Sequence, residues 1–111
     1  MAKFTVQLAD AAIQDAIDAV DWYAENYSEE FAARWYAGLL AAVASLRDTA
    51  SGCSLVHENG RLTSDVRELL YGKSKRNRHR ILLTIDGNTV SVVRIRHSAQ
   101  RDLTDNDLER S

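Results

Sequence analysis

Six arginines fall between Val66 and His97, and five of them, Arg67, Arg78, Arg80, Arg94 and Arg96, belong to stretches where apolar residues alternate as they do in β-strands. A sheet face that only had to pack would fill those positions with apolar or neutral side chains. Guanidinium groups threaded through strands therefore point to an anion. Arg67 and Arg80 carry forked donors suited to two oxygens of one phosphate or carboxylate. His97 closes the stretch with an imidazole that can take and give protons near neutral pH. These three form a candidate acid/base and phosphate-clamping set. Lys73, Lys75 and Arg76 of the loop KSKRN, with Arg78, Arg94 and Arg96, form a candidate contact surface for nucleic acid or a partner protein. A single arginine usually just solvates a surface, and a lone histidine usually has a structural role. The clustering is what argues for function.

The charge is polarised along the chain. Residues 1–60 hold three basic and nine acidic side chains, residues 61–101 ten and three, and residues 102–111 one and four, which sums to the net −2. A basic segment is thus mounted on an acidic one, as suits a polyanion or acidic partner at one face only. With 111 residues, 45% apolar and no internal repeat, the chain is expected to form a single domain over 1–111. Cys53, the single cysteine, excludes an internal disulfide and a cysteine-rich zinc site. No metal-ligand cluster and no cofactor motif stands out. The start MAKFTVQLAD has neither a signal peptide's apolar segment nor a membrane span, so a cytoplasmic protein is expected.

The elements that must position these residues can be read in order. Lys3 to Leu8 alternates Phe4, Val6 and Leu8 against polar residues, which predicts a short half-buried strand. Asp10 stands where an N-cap belongs, and Ile13, Ile17, Val20, Ala24 and Tyr27 trace the apolar stripe of a helix. Its other face carries Asp15, Asp18, Asp21 and Glu25. Ser28, followed by Glu29 and Glu30, starts a second helix whose stripe is Phe31, Trp35, Leu39, Ala42 and Leu46, widened by Tyr36, Leu40 and Val43. Small residues including Gly38 would let the two helices approach closely as an antiparallel hairpin. Trp22, Trp35 and the tyrosines are expected in the core or in the packing of the helical hairpin rather than as a base-stacking platform. Residues 52–65 show no periodicity and read as a connecting loop, with His57 and Glu58 in solvent.

A three-strand antiparallel meander follows, turned at Asp86-Gly87-Asn88. Unbroken alternation puts His79, Ile81, Leu83 and Ile85 with Val90, Val92, Arg94 and Arg96 on the helix side. It puts Arg80 and His97 together on an open face, and a one-residue slip would reverse that pairing. The acidic tail 102–111 either forms a last turn or stays mobile.

This α+β order of a strand, a two-helix hairpin and an antiparallel meander resembles the RelE/ParE superfamily of bacterial toxins. The likeness rests on Val66-Arg67-Glu68-Leu69, Arg80-Ile81, the Asp86-Gly87 turn and Val92 to His97, and spans roughly Phe4 to Arg101. The resemblance implies the toxin of a type II toxin–antitoxin module, neutralised by a small cognate antitoxin. It implies one of two targets: DNA gyrase for ParE-like members, or messenger RNA on the ribosome for RelE-like ones. The RelE-like reading makes the chain a metal-independent endoribonuclease using His97, Arg80 and Arg67. RNA cleavage by a 2′-hydroxyl needs both a base and an acid, and the lysines that could supply the second group lie in the 73–75 loop. The ParE-like, non-enzymatic reading therefore ranks first, the ribonuclease second, and a non-toxic nucleic-acid-binding module third.

Overall fold

The structure, a computed structural model, describes residues 4–72 and 78–108. Its elements are β1 (Thr5–Leu8), α1 (Asp10–Asn26), α2 (Glu29–Thr49), β2 (Ser54–Leu55), β3 (Arg67–Tyr71), β4 (His79–Asp86), β5 (Thr89–His97) and α3 (Asp105–Leu108). Five strands make one mixed sheet in the order β1-β5-β4-β3-β2. The expected meander is β3-β4-β5, and β1 adds to β5 in parallel, so the sheet is not purely antiparallel. The parallel pairing is possible because the α1–α2 hairpin carries the chain back over the sheet between β1 and the meander.

Ser28 caps α2 as expected, accepting the Phe31 amide at 3.0 Å. Asp10 does not cap α1; Ala9 holds that position without a side-chain bond, and Asp10 sits in the first turn, where it opposes the positive end of the helix dipole. The tight turn is Gly87-Asn88, closed by the pair Asp86 and Thr89, with Gly87 at φ 59°. That left-handed conformation suits glycine.

The helix side of the sheet holds the main core. Ile81, Leu83, Val90, Val92 and Ile95 pack with Ala12, Ala16, Tyr23, Trp35, Leu39, Val43 and Leu46. The buried line of α1 is thus Ala12, Ala16 and Tyr23, while Ile13 and Ile17 are exposed. Alanines let α1 sit close on the strands, which turns the larger isoleucines outward. Tyr36 and Leu40 of α2 also face solvent. Trp35 is buried as expected; Trp22 is 54% exposed.

Alternation along β5 is broken once. Leu82 opposes Arg94, but Leu83 opposes Val92, leaving Val93 as the extra residue of a bulge. Beyond it the side chains change faces. Ile95 and His97 point toward the helices, opposite Ile81 and His79, while Arg96 opposes Arg80 on the other side. The slip recognised as the risk in the sequence is therefore present, and Arg80 and His97 do not share a face. Nor is Arg80's face open. Val56, Val66, Leu82 and Leu103 form a second core there, flanked by Leu62, Val93 and Leu108. The segment before β3 and the chain after β5 cover it, so the tail through Leu108 is folded onto the sheet.

Gly38 serves a strand rather than the partner helix. The Tyr71 hydroxyl donates to the Trp35 carbonyl at 2.7 Å and lies over Gly38, where an added Cβ would collide with it. Alanine gains about 1 kcal/mol of helix propensity over glycine, but overpacking here costs about 1–3 kcal/mol. Gly38→Ala should lower stability in urea unfolding, and should cost measurably less when Tyr71→Phe has already removed the hydroxyl. Equal costs in the two backgrounds would show that the hydroxyl is not the obstacle.

Candidate functional site

Arg80 is 7% exposed and all three guanidinium nitrogens are engaged. Nε donates to Glu68 at 2.7 Å, and the two terminal nitrogens donate to the two Glu58 oxygens at 2.8 and 2.7 Å. Glu58 is fully buried, contrary to its expected exposure, and also accepts the Leu103 amide at 2.8 Å. The hydrogen bonds from Arg80 hold its carboxyl down at about 2, against the opposing effect of burial. The same bonds raise the Arg80 pKa. Glu68 opposes Leu82 on β3 and so shares Arg80's side of the sheet.

Arg96, directly across from Arg80, is 4% exposed and donates to the Arg101 carbonyl at 2.8 Å. Its neighbour Asp107 lies 3.7 Å away and is gripped by both terminal nitrogens of Arg101 at 2.9 and 2.8 Å. Those bonds, with the Thr104 amide and hydroxyl, hold Asp107 well below the usual carboxylate range, while burial lowers the Arg96 pKa. Two like charges facing each other across a ladder would repel. Here each has its own carboxylate beneath the covering segments.

Arg94 finds another partner. Below Leu8 the edge of β5 has lost β1, and Asp15 of α1 takes over, accepting the Ile95 amide at 2.9 Å. The same carboxylate grips Arg94 at 2.7 and 2.9 Å, and Arg94 also reaches the Asp107 carbonyl at 3.1 Å. Arg67 lies on the helix-facing side and donates to the Cys53 carbonyl at 2.6 Å. Arg78, half-buried, precedes β4. Lys73, Lys75 and Arg76 lie outside the described residues.

His97 stands on the opposite face of the sheet from Arg80, its ring 5.1 Å from that of His79, and its Nδ1 accepts the Ala99 amide at 3.0 Å. The trio of His97, Arg80 and Arg67 is therefore not brought to one point. Among the described residues, His57, Glu58 and Asp102 form the one group with metal-ligand spacing. Arg80 already sits on Glu58 and Arg61 on Asp102 at 2.9 Å, which opposes a cation there.

The helix side presents a different surface. A cleft of about 390 Å³ runs between α1 and the end of β5, walled by Asp18, Trp22 and Tyr23 on one side and His79 and His97 on the other. The sequence did not reveal it because Trp22 was expected to be taken up in the core or in hairpin packing, whereas it is 54% exposed. The acidic face of α1 was the signal that could have marked it.

The fold is a mixed sheet with a helical hairpin on one face. It superposes on a solved structure described as the chromosomal ParDE TA system from P. aeruginosa with a TM-score of 0.66, at 18% identity, over 86% of this chain and 96% of that one. The family model described as the ParE toxin of type II toxin-antitoxin system, parDE, matches residues 6–102. The chain belongs to the ParE toxin family. No curated protein sequence matches it.

Removing one member of a buried ion pair leaves its partner charged without compensation, a loss of about 3–5 kcal/mol. Glu58→Gln should destabilise the protein by that order in urea unfolding at neutral pH. Because the folded carboxyl titrates at about 2 rather than its ordinary 4.5, its contribution is complete above pH 4.5 and is lost as the pH falls from there toward 2. Acid destabilisation across that window should be shallower in Glu58→Gln, with Asp107 supplying what remains. An identical acid limb in both proteins would contradict the assignment.

Proposed function

We propose that this chain is the toxin of a parDE-type module, acting in the cytoplasm, held inactive by a cognate antitoxin and arresting growth by contact with DNA gyrase rather than by RNA cleavage. Membership of the ParE family supports the module and the antitoxin. One observation carries the choice of mechanism. The arginine that a ribonuclease would aim at phosphate has its nitrogens bonded to Glu58 and Glu68, with His97 on the far side of the sheet. Metal-free cleavage needs an acid, a base and a cation converging on one phosphate. His97 and Arg67 lie on the helix side of the sheet and Arg80 on the other, so that set does not converge on one phosphate. Inhibition by docking needs only a stable, complementary surface, and the ion-paired, two-sided core supports one. Among the described residues no helix is long and apolar enough to cross a membrane.

Expression without the antitoxin tests this reading. Growth arrest with filamentation and a DNA-damage response is expected, together with loss of supercoiling by purified gyrase and intact transcripts. Arg67→Gln, which would cost a ribonuclease about 10²–10⁴-fold if Arg67 clamped its phosphate, should leave arrest essentially unchanged. Rapid ribosome-dependent transcript cleavage would overturn the proposal in favour of a RelE-like nuclease. Normal growth would favour a non-toxic binding module.

A further inference from the structure

We propose that the cleft between α1 and the end of β5 receives an arginine side chain presented by a partner polypeptide. Charge complementarity is the first argument. The helix Asp10–Asn26 carries Asp10, Asp15, Asp18, Asp21 and Glu25 and no lysine or arginine. With Asp15 taken by Arg94, the four remaining carboxylates repel phosphate and attract a cation.

Asp15 shows what this helix does with a guanidinium. It already holds Arg94 through both oxygens at 2.7 and 2.9 Å. Asp18, one turn on, lines the cleft. Its Oδ1 accepts the Gln14 amide at 2.8 Å, and no described group engages its Oδ2. The chain thus fills one carboxylate of the pair from its own sequence and leaves the next facing outward.

Trp22 supplies the second element of recognition. It follows Asp18 by four residues, which places the two side chains side by side on the helix surface. Its ring is held edge-on to Tyr23 at 5.3 Å and tilted against Tyr27 at 5.9 Å, yet the residue remains 54% exposed. An indole beside a carboxylate is suited to a planar cation, which can stack on the ring while its nitrogens fork onto the oxygens. A cleft of about 390 Å³ has room for a guanidinium and its methylenes. A purely aliphatic occupant would desolvate Asp18 without a partner. A lysine has no plane to stack and no fork.

The assignment is independent of the cellular target, and its test reads binding alone. The full chain would be titrated with N-acetyl-arginine amide at neutral pH, with N-acetyl-citrulline amide as the neutral isostere and N-acetyl-lysine amide as the unforked cation. Arginine should produce saturable NMR shifts at the Trp22 indole N–H and the Asp18 amide, weakening as salt rises. Citrulline should produce none, and lysine should bind more weakly. Asp18→Asn and Trp22→Ala, both at exposed positions and checked for an otherwise unchanged spectrum, should each weaken arginine binding about threefold or more. The proposal is overturned if arginine and citrulline behave alike, if lysine binds as well as arginine, if nothing saturates, or if both folded variants bind as the parent does.

Discussion

The fork of Arg80 onto Glu58 is the interaction on which the outer half of this protein depends. Burying an arginine and a glutamate carries a desolvation cost of several kcal/mol per ion, offset only when geometry and additional hydrogen bonds are good. Both conditions hold. Glu58 receives two guanidinium nitrogens and the Leu103 amide, and Glu68 takes the remaining nitrogen. One carboxylate thereby ties the segment before β3, the central strand β4 and the chain after β5 to one another. Leu103, delivered by that contact, completes the small apolar cluster with Val56, Val66 and Leu82.

The two faces of the sheet consequently do different things. The outer face spends its positive charge internally, in Arg80 with Glu58 and Glu68, Arg94 with Asp15, and Arg96 beside Asp107. The acidic character of the N-terminal half and of the tail is the counterpart of those strands. Much of the charge polarity along the sequence is intramolecular complementarity. Among the described residues, surface available for partners includes the helices, with exposed Ile13, Ile17, Tyr36 and Leu40 and the carboxylates and indole of α1, and the strand residues Leu55 and Leu70.

Much of this architecture was legible in the residues. Ser28 with Glu29 and Glu30, the Asp86-Gly87-Asn88 turn and the alternation near it gave the hairpin and meander, because each rests on a strong local preference. Three features were not legible, for physical reasons. Val93 suits either face of a strand, and no glycine marks the bulge that reverses Arg96 and His97. The alanine line of α1 has little hydrophobicity, so Ile13 and Ile17 mimicked the core stripe while close packing selected Ala12 and Ala16. Glu58 sits in an aperiodic stretch, and its burial depends on Arg80, 22 residues away. The basic strands stood out in the sequence as an anion-binding surface, but Arg80, Arg94 and Arg96 pair with the chain's own carboxylates. Their carboxylate partners come from distant segments, which periodicity cannot reveal.

The central claim is that Arg80 is a core residue paired to Glu58 and not a surface clamp for an external anion. A double-mutant cycle on these two residues, replacing each alone and both together with methionine and following urea unfolding at neutral pH, tests it most directly. The account predicts a coupling energy of about 2–3 kcal/mol, near the upper end of what contacting pairs show. Coupling below about 0.5 kcal/mol, the level expected for independent sites, would contradict it and return Arg80 to the solvent-facing role that its position in a basic strand first suggests.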